Sequence, residues 1–340
     1  MKSLFSVLLF CTAFLFGEFD KVGTSAAQFL KIGVGARAIS MGGSYVALAD
    51  DGYAHYWNPA GIVRAPSFGT AFSHNNYVLD LSHEYLSITV PTGRNGAMGI
   101  SISALNMSDQ EITTVENPEG TGLFYDVIDM SFGFSYSRML SDRLSYGLTT
   151  KYIRLSAYHE TAHSFAVDLG SILDTGYKGL KIGMAMTNFG GNVRYEGRDL
   201  IVKADSNEDL DGNYLSDANL RTESWRLPLM IRIGVAFDLM NRDSSFIQND
   251  NSRIRVALDA EHPNDASEHL HVGMEYGFME TIFFRAGHRF NYSETETTFG
   301  IGLNLEMGNQ SRVSIDYAVM PIGPFGNTSY LSLEISGFKP

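Results

Sequence analysis

GTSAAQFLKIGVGARAISMGGSYVALADDGYAHYWNPAGI, residues Gly23 to Ile62, is unlike anything that follows it in the chain. It is rich in glycine and alanine and ends on the rigid run Trp57-Asn58-Pro59-Ala60-Gly61. Pro59 fixes its own φ and drives Asn58 out of the helical region, so any short helix before it must stop there. From Ser67 onward the pattern changes to short segments of period two, the signature of half-exposed strands. The stretch therefore reads as an ordered body around which a β wall is built.

Part of it mimics a nucleotide site. Gly33-Val34-Gly35-Ala36-Arg37-Ala38 follows an apolar run and precedes Asp50 and Asp51, as in a dinucleotide-binding fingerprint. That fold needs a βαβ unit with further crossover helices, and none follows. An N-terminal arm packed on a soluble β protein is the remaining alternative, and export and composition bear on it.

Residues 1–17 read as a secretory signal peptide, with Lys2, an apolar run from Leu4 to Phe16 and the small Gly17 before Glu18. Cys11, the only cysteine, falls inside it, so the mature chain is expected to hold no disulfide and no thiolate metal site. No later apolar run approaches the roughly 18 residues of a spanning helix. Only 19% of the 340 residues are charged, Gly reaches 34, and there are 17 Tyr and 22 Phe. An exported chain of that composition fits a transmembrane β-barrel, whose apolar and polar faces average out. The net charge of -13 argues against nucleic acid as a partner.

Fourteen strands are expected between Ser67 and Ser336, most near the 9 to 11 residues that a tilted strand needs to cross hydrocarbon. One face carries Phe132, Phe134, Tyr136, Tyr146, Leu148, Tyr152, Ile182, Met184, Met186, Ile231, Ile233, Val235, Phe237, Phe299, Ile301, Leu303, Leu305, Val313, Ile315, Tyr317, Leu331, Leu333 and Ile335, and is assigned to lipid. Between them lie Gly, Ser, Ala and Thr, with charges at Lys151, Asp168, Lys181, Arg232, Asp259, Arg285, Asp316 and Glu334. Charges are expensive against lipid, so these eight are expected to line the lumen. A soluble β-sandwich would show the same alternation. It would not show tight connections such as 91–95 and 140–143 alternating with excursions such as 106–128 and 189–226, the habit of outer-membrane barrels.

The motifs Gly33-Val34-Gly35-Ala36-Arg37, Met41-Gly42-Gly43, Ala47-Leu48-Ala49-Asp50-Asp51 and Asn58-Pro59-Ala60-Gly61 resemble the N-terminal signature of the PorV/PorQ family, within the wider superfamily of the fatty-acid transporter FadL. Asp259-Ala260-Glu261-His262-Pro263-Asn264-Asp265, Gly273-Met274-Glu275-Tyr276, Phe284-Arg285-Ala286-Gly287, Phe299-Gly300-Ile301-Gly302 and Asp316-Tyr317-Ala318 extend the likeness to the C-terminal half. The resemblance implies that residues 18–66 plug the lumen of a barrel formed by residues 67–340. It also implies a non-enzymatic outer-membrane protein, accessory to type IX-like secretion or surface attachment, whose external loops meet secretion subunits or secreted proteins. The wider superfamily implies an alternative, a channel for small hydrophobic molecules such as fatty acids. The charged lumen tilts the reading toward the first. Both chain termini are expected on the periplasmic side, because an even strand count returns the wall to the end where it began.

Two constellations invite chemistry. His159-Glu160-Thr161-Ala162-His163 satisfies H-E-x-x-H, but zinc chemistry needs that motif on a helix, and here it is the tip of a hairpin. Asp205, Asn207, Asp209, Asp211 and Asp217 resemble an oxygen-rich calcium loop, yet Ala218 stands where the bidentate glutamate belongs. The stretch 106–128 holds five acidic residues and no basic one, which suits cation bridging to lipopolysaccharide. No cofactor is expected. His55, His269 and His271 read as structural or solvated.

Overall fold

The computed structural model describes residues 22–65, 67–205, 215–242, 245–292, 296–307 and 311–338. The leader with Cys11, and Asn207, Asp209 and Asp211 of the acidic loop, lie outside the described residues. Fourteen long strands form the wall: β1 (Phe68–Asn76), β2 (Leu81–Pro91), β3 (Gly96–Met107), β4 (Val127–Met139), β5 (Leu144–Ala157), β6 (Glu160–Asp174), β7 (Lys181–Gly190), β8 (Met230–Asn241), β9 (Ser252–Pro263), β10 (His269–Phe278), β11 (Ile282–Phe290), β12 (Glu296–Met307), β13 (Ser311–Pro321) and β14 (Asn327–Phe338). Each pairs antiparallel with its neighbour in sequence. Closure comes from β1 on β14, in register from Gly69 opposite Ser336 to Asn76 opposite Ser329. With first and last strands paired, the barrel has no free edge, which is what allows a sheet to survive in hydrocarbon.

The outward face is greasy throughout. Phe134 is 54% exposed, Phe299 59% and Ile301 55%, values that a water-facing surface cannot sustain as a continuous belt. The residues assigned to lipid from the alternation all point outward, half-buried or exposed. Inward positions are small on most strands, but not on all. Ile153 and Leu155 on β5 also point inward and are fully covered, so the expectation of only small or charged lumen residues fails at this point. They are needed to pack the start of the N-terminal segment.

One end of the barrel, here the loop end, carries the long connections, including 108–126 and 191–229; the other, the strand-terminus end, carries tight turns such as 92–95 and 140–143. The excursion 191–229 projects a two-stranded ribbon, Ile201–Asp205 on Leu215–Asn219. At the strand-terminus end, 242–251 is longer than its neighbours because Ile247 and Gln248 add a short parallel strand beside Met240 and Asn241.

Inside the wall, the N-terminal segment folds into a one-turn 3-10 helix (Gln28–Lys31), α1 (Ala36–Ser40), α2 (Ala54–Trp57) and a 3-10 turn (Pro59–Arg64). Almost every residue from Val34 to Ile62 is buried. α2 stops where Pro59 dictates, with Asn58 extended at φ -161°. The segment runs the length of the lumen. At the loop end Ala26 N donates to Arg226 O at 2.9 Å, and Phe29 and Leu30 pack with Ile153, Leu155, Ala162, Val193 and Leu227. At the other end Arg64 donates to Arg143 O and Ile172 O, both at 3.0 Å. An even strand count therefore brings Phe68 and Phe338 together, but the first described residues lie at the opposite end. Both termini at one end was the expectation; strand parity fixes the wall and says nothing of a segment that crosses its interior.

Candidate functional site

The candidate site is the lumen itself, with the plug dividing it. Its lower anchor is the run singled out in the sequence. Trp57 donates from Nε1 to Val34 O at 2.9 Å and meets Tyr45 and Tyr56 edge-on. Asn58 spends both ends of its amide: Nδ2 donates to Val46 O at 2.8 Å and to Ser171 O at 3.1 Å, while Oδ1 accepts from Ala60 N at 3.1 Å. Pro59 opens the following 3-10 turn, where its missing N–H costs nothing. The turn lies directly on the wall. A Cβ added at Gly147 would run into the Pro59 carbonyl, and one at Gly170 into the Asn58 side chain. Gly61 is as constrained, against Ala49 O. His55, buried with Nε2 3.0 Å from Thr89 Oγ1, has its pKa pushed down to about 3 by burial, so it is a neutral packing group.

The opposite side of the plug meets charge. Arg37 of α1 reaches Tyr45 Oη and Asp50 Oδ1, each at 2.9 Å, Asp51 Oδ2 at 3.3 Å and, across to the wall, Glu275 Oε2 at 3.2 Å. Glu275 is fully buried and gathers three more guanidiniums: Arg285 at 2.7 Å, Arg253 at 3.0 Å and Arg255 at 4.0 Å. Arg285 passes on to Asp316 at 2.5 Å, Arg255 to Asp238 at 2.8 Å. Burial alone would raise the Asp50 carboxyl; the Arg37 charge overrides it and holds the pKa at about 2. For Asp51 burial wins over Arg37 and pushes the carboxyl up. These groups surround a chamber of about 200 Å3 at the strand-terminus end, into which Arg64, Arg312 and Glu334 also open.

The eight charges assigned to the lumen from sequence have distinct places. Asp316 and Arg285 belong to this network, and Glu334 accepts Gly52 N at 3.1 Å. Asp259 accepts Tyr45 N and Val46 N, each at 2.8 Å, fastening the plug backbone. Arg232 pairs with Glu261 at 2.7 Å and lies over the Trp57 ring at 5.2 Å. Lys151 and Asp168 form a separate buried pair at 2.6 Å. It sits where the β6–β7 register slips: Val167 faces Phe189, but Leu169 faces Met186. Asn188 fills that bulge at φ 62°, its N–H donating to Asp168 at 2.7 Å and its amide oxygen accepting from Lys151 at 2.9 Å. Lys181 is half-buried at the start of β7, within electrostatic reach of Asp50 and Arg255 at the edge of the network. Sequence reading missed Glu275, Arg253 and Arg255, although each stands on the inward parity of its strand, and it missed Arg37 as their partner. Parity was a usable signal; which inward charges share one hub was not.

Above the plug, at the loop end, a second chamber of about 280 Å3 has a mixed lining, in which Ile39, Trp57, Met320 and Tyr330 lie among the charged Arg232, Glu261 and Arg289. The H-E-x-x-H stretch makes no site. His159 lies in the β5–β6 turn with Nδ1 2.8 Å from Asp199, whereas His163 faces outward on β6, stacked on Tyr152 at 5.8 Å. The expected hairpin tip is shorter than the motif, because β6 already starts at Glu160. Among the described residues no group of His, Cys, Asp or Glu is arranged to hold a metal.

No curated protein sequence matches the chain. Solved structures match over nearly the whole fold: the Ralstonia pickettii toluene transporter TbuX at 13% identity and TM-score 0.56, covering 90% of this chain and 99% of that one. The CymD monoaromatic hydrocarbon channel matches at 13% and 0.55, covering 91% and 98%. The Pseudomonas putida toluene transporter TodX matches at 12% and 0.56, covering 89% and 96%. At such identities the likeness is one of fold alone. Residues 17–260 match the sequence profile of the family described as Type IX secretion system protein PorV, a span that holds the plug, the first eight strands and most of the ninth. By that match the chain belongs to the PorV family.

Proposed function

We propose that this outer-membrane barrel is a non-enzymatic accessory of type IX-like protein secretion or surface attachment. In this reading the loop end is external, the strand-terminus end is periplasmic, and the loops carry partner binding. The observation that carries it is the fit of the plug. Its 3-10 turn lies on Gly147 and Gly170 without intervening space, and its other side is held by Arg37, Glu275 and Asp259. A lumen stoppered this way, with charge around the strand-terminus chamber, suits a scaffold better than a conduit for apolar solutes. The external excursions offer apolar groups to a protein partner: Val115, Leu123 and Phe124 on one, Leu215, Leu220 and Trp225 on the other, all exposed. The acidic stretch 106–128 supports contact with lipopolysaccharide through bridging cations.

The test is affinity capture of the full-length protein from detergent-solubilised outer membranes. A secretion subunit or secreted protein recovered in stoichiometric amount is the expected result. Recovery of bound lipid or hydrocarbon alone would instead support uptake of small hydrophobic molecules. The apolar side chains lining part of the loop-end chamber are the observation favouring that second reading, together with the fold likeness to proteins named as toluene transporters.

A further inference from the structure

Six guanidiniums line the chamber at the strand-terminus end, and four of them are already paired. Arg37 holds Asp50 and Asp51, Arg285 holds Glu275 and Asp316, Arg253 holds Glu275 and, at 2.8 Å, Glu280, and Arg255 holds Asp238. Every carboxylate on the chamber is thereby ion-paired except Glu334, which accepts Gly52 N. Arg64 and Arg312 are left over. Arg64, in the last turn of the plug, donates from Nε to Ser145 Oγ at 2.9 Å and from Nη2 to the carbonyls of Arg143 and Ile172, so its Nη1 has no partner among the described residues. Burial lowers its pKa, and Asp174 and Asp50 only partly offset that. Arg312 stands on the inward parity of β13, one residue from its start. Glu306 is its register partner on β12, yet Arg312 forms no ion pair or hydrogen bond among the described residues.

The neutral donors beside Arg312 are idle as well. Ser336 lies opposite Arg312, and Asn304 lies opposite Ser314. All three of these neutral side chains open into the chamber, and none has a hydrogen-bond partner among the described residues. Ser336 is in this position although it is only 7% exposed. Polar groups turned into a cavity need partners. Water can supply acceptors to the hydroxyls and the amide, but it cannot supply the charge that two unmatched guanidiniums call for. We propose that this chamber binds a phosphate group, held between Arg64 of the plug and Arg312, Asn304, Ser314 and Ser336 of the wall. A tetrahedral group with three or more acceptor oxygens takes donors that converge from opposite sides, whereas a carboxylate presents two oxygens in one plane. A chamber of about 200 Å3 admits one or two such groups. Because the ligand bridges plug and wall, its binding favours the seated plug by mass action. The site is independent of which end of the barrel is external, and so of the secretion reading above.

The test uses the full-length protein in a phosphate-free maltoside detergent, with calorimetric titration and with thermal unfolding followed by the fluorescence of Trp57 and Trp225. Sodium pyrophosphate is expected to bind saturably and to raise the unfolding midpoint, and sodium chloride at matched ionic strength to do neither. A pyrophosphate response no larger than that of chloride would overturn the site. Succinate is expected to bind several-fold more weakly; affinity equal to that of pyrophosphate would overturn the assignment to phosphate. Arg312→Gln should weaken pyrophosphate about tenfold, the loss of one charge-assisted contact, while the midpoint without ligand stays where it was. Arg94→Gln, at an exposed arginine in the tight turn 92–95 of the same end, should bind as wild type does. Equal losses in the two variants would reduce the effect to surface charge and overturn the site. Ser336→Ala should cost several-fold, and an unaltered affinity there would remove the wall hydroxyls from the role. Dihexanoyl phosphatidic acid separates the sources: tighter binding than pyrophosphate assigns the phosphate to a lipid head group, and weaker binding assigns it to a soluble phosphate compound.

Discussion

The two sides of the lumen hold the plug by different physics. Strands β1–β4 turn Gly, Ala, Ser, Thr and a few larger neutral residues inward, with Asp129 their one inward carboxylate among the described residues. Strands β8–β14 turn inward Arg232, Asp238, Arg253, Arg255, Asp259, Glu261, Glu275, Arg285, Asp316 and Glu334. The neutral side accepts the plug by proximity: Ser87 Oγ donates to Gly52 O at 2.6 Å, Ser137 Oγ to Ala60 O at 3.2 Å. The charged side accepts it largely by pairing: Glu275 holds Arg37, Asp259 takes the Tyr45 and Val46 N–H groups and Glu334 that of Gly52, while the hydroxyls of Ser332 and Thr298 take Ala36 N and Gly42 N. Proximity excludes water and solute; pairing fixes register. A plug held only by contact could slide along a smooth wall, and one held only by charge would leave gaps.

The comparison can be broken first at its charged side. Glu275→Ala leaves four guanidiniums around an empty position, and breaking a buried ionic network by removing one partner costs about 3–5 kcal/mol. Heat-modifiable gel migration and urea unfolding in detergent should show it as the most unstable variant. Replacing Glu275 with Gln should recover little of the loss, since the charge is what gathers the arginines.

Away from the charged side, on β5 next to the neutral strands, Gly147→Val places a branched side chain against the Pro59 carbonyl. Overpacking of that kind costs about 1–3 kcal/mol. Unlike the charge variant, it should loosen the plug without altering salt dependence. Equal salt sensitivity of the two variants would erase the distinction drawn here.

A smaller effect follows from His55. Its folded pKa, about 3, lies below the ordinary 6.5, so the unfolded chain binds the extra proton first. Stability is then undiminished above pH 6.5 and declines as the pH falls toward 3, by at most about 1.4 kcal/mol per unit. His55→Gln should flatten that slope. Asp50 works at lower pH: its carboxyl is held at about 2, and its ion pair is lost only as the pH approaches that value. Urea titrations at pH 7 and pH 5 should therefore separate wild type from His55→Gln without a contribution from Asp50.

The smallest expected change is at Ser332→Ala, which removes the hydroxyl that accepts Ala36 N at 2.7 Å. One such bond contributes about 0.5–1.5 kcal/mol. A measurable shift in urea midpoint is expected, with the plug still seated by proteolysis.

Much of this was legible before any coordinates. Period-two alternation is a local property, so it placed fourteen strands, their greasy face and the inward direction of charges such as Asp259 and Arg285. Chain direction and a fixed φ were local as well, so Pro59 announced where α2 ends. What the sequence by itself determined was a closed wall around an N-terminal plug. Only the tertiary structure decided that Arg37 meets Glu275, that Asn58 rests on Gly170, and that residues 22–31 emerge at the loop end. Those contacts join positions more than a hundred residues apart, and their pairing depends on barrel register and on how the plug is threaded. No short-range pattern encodes either, because each inward side chain could equally face any segment that the closed wall brings opposite it.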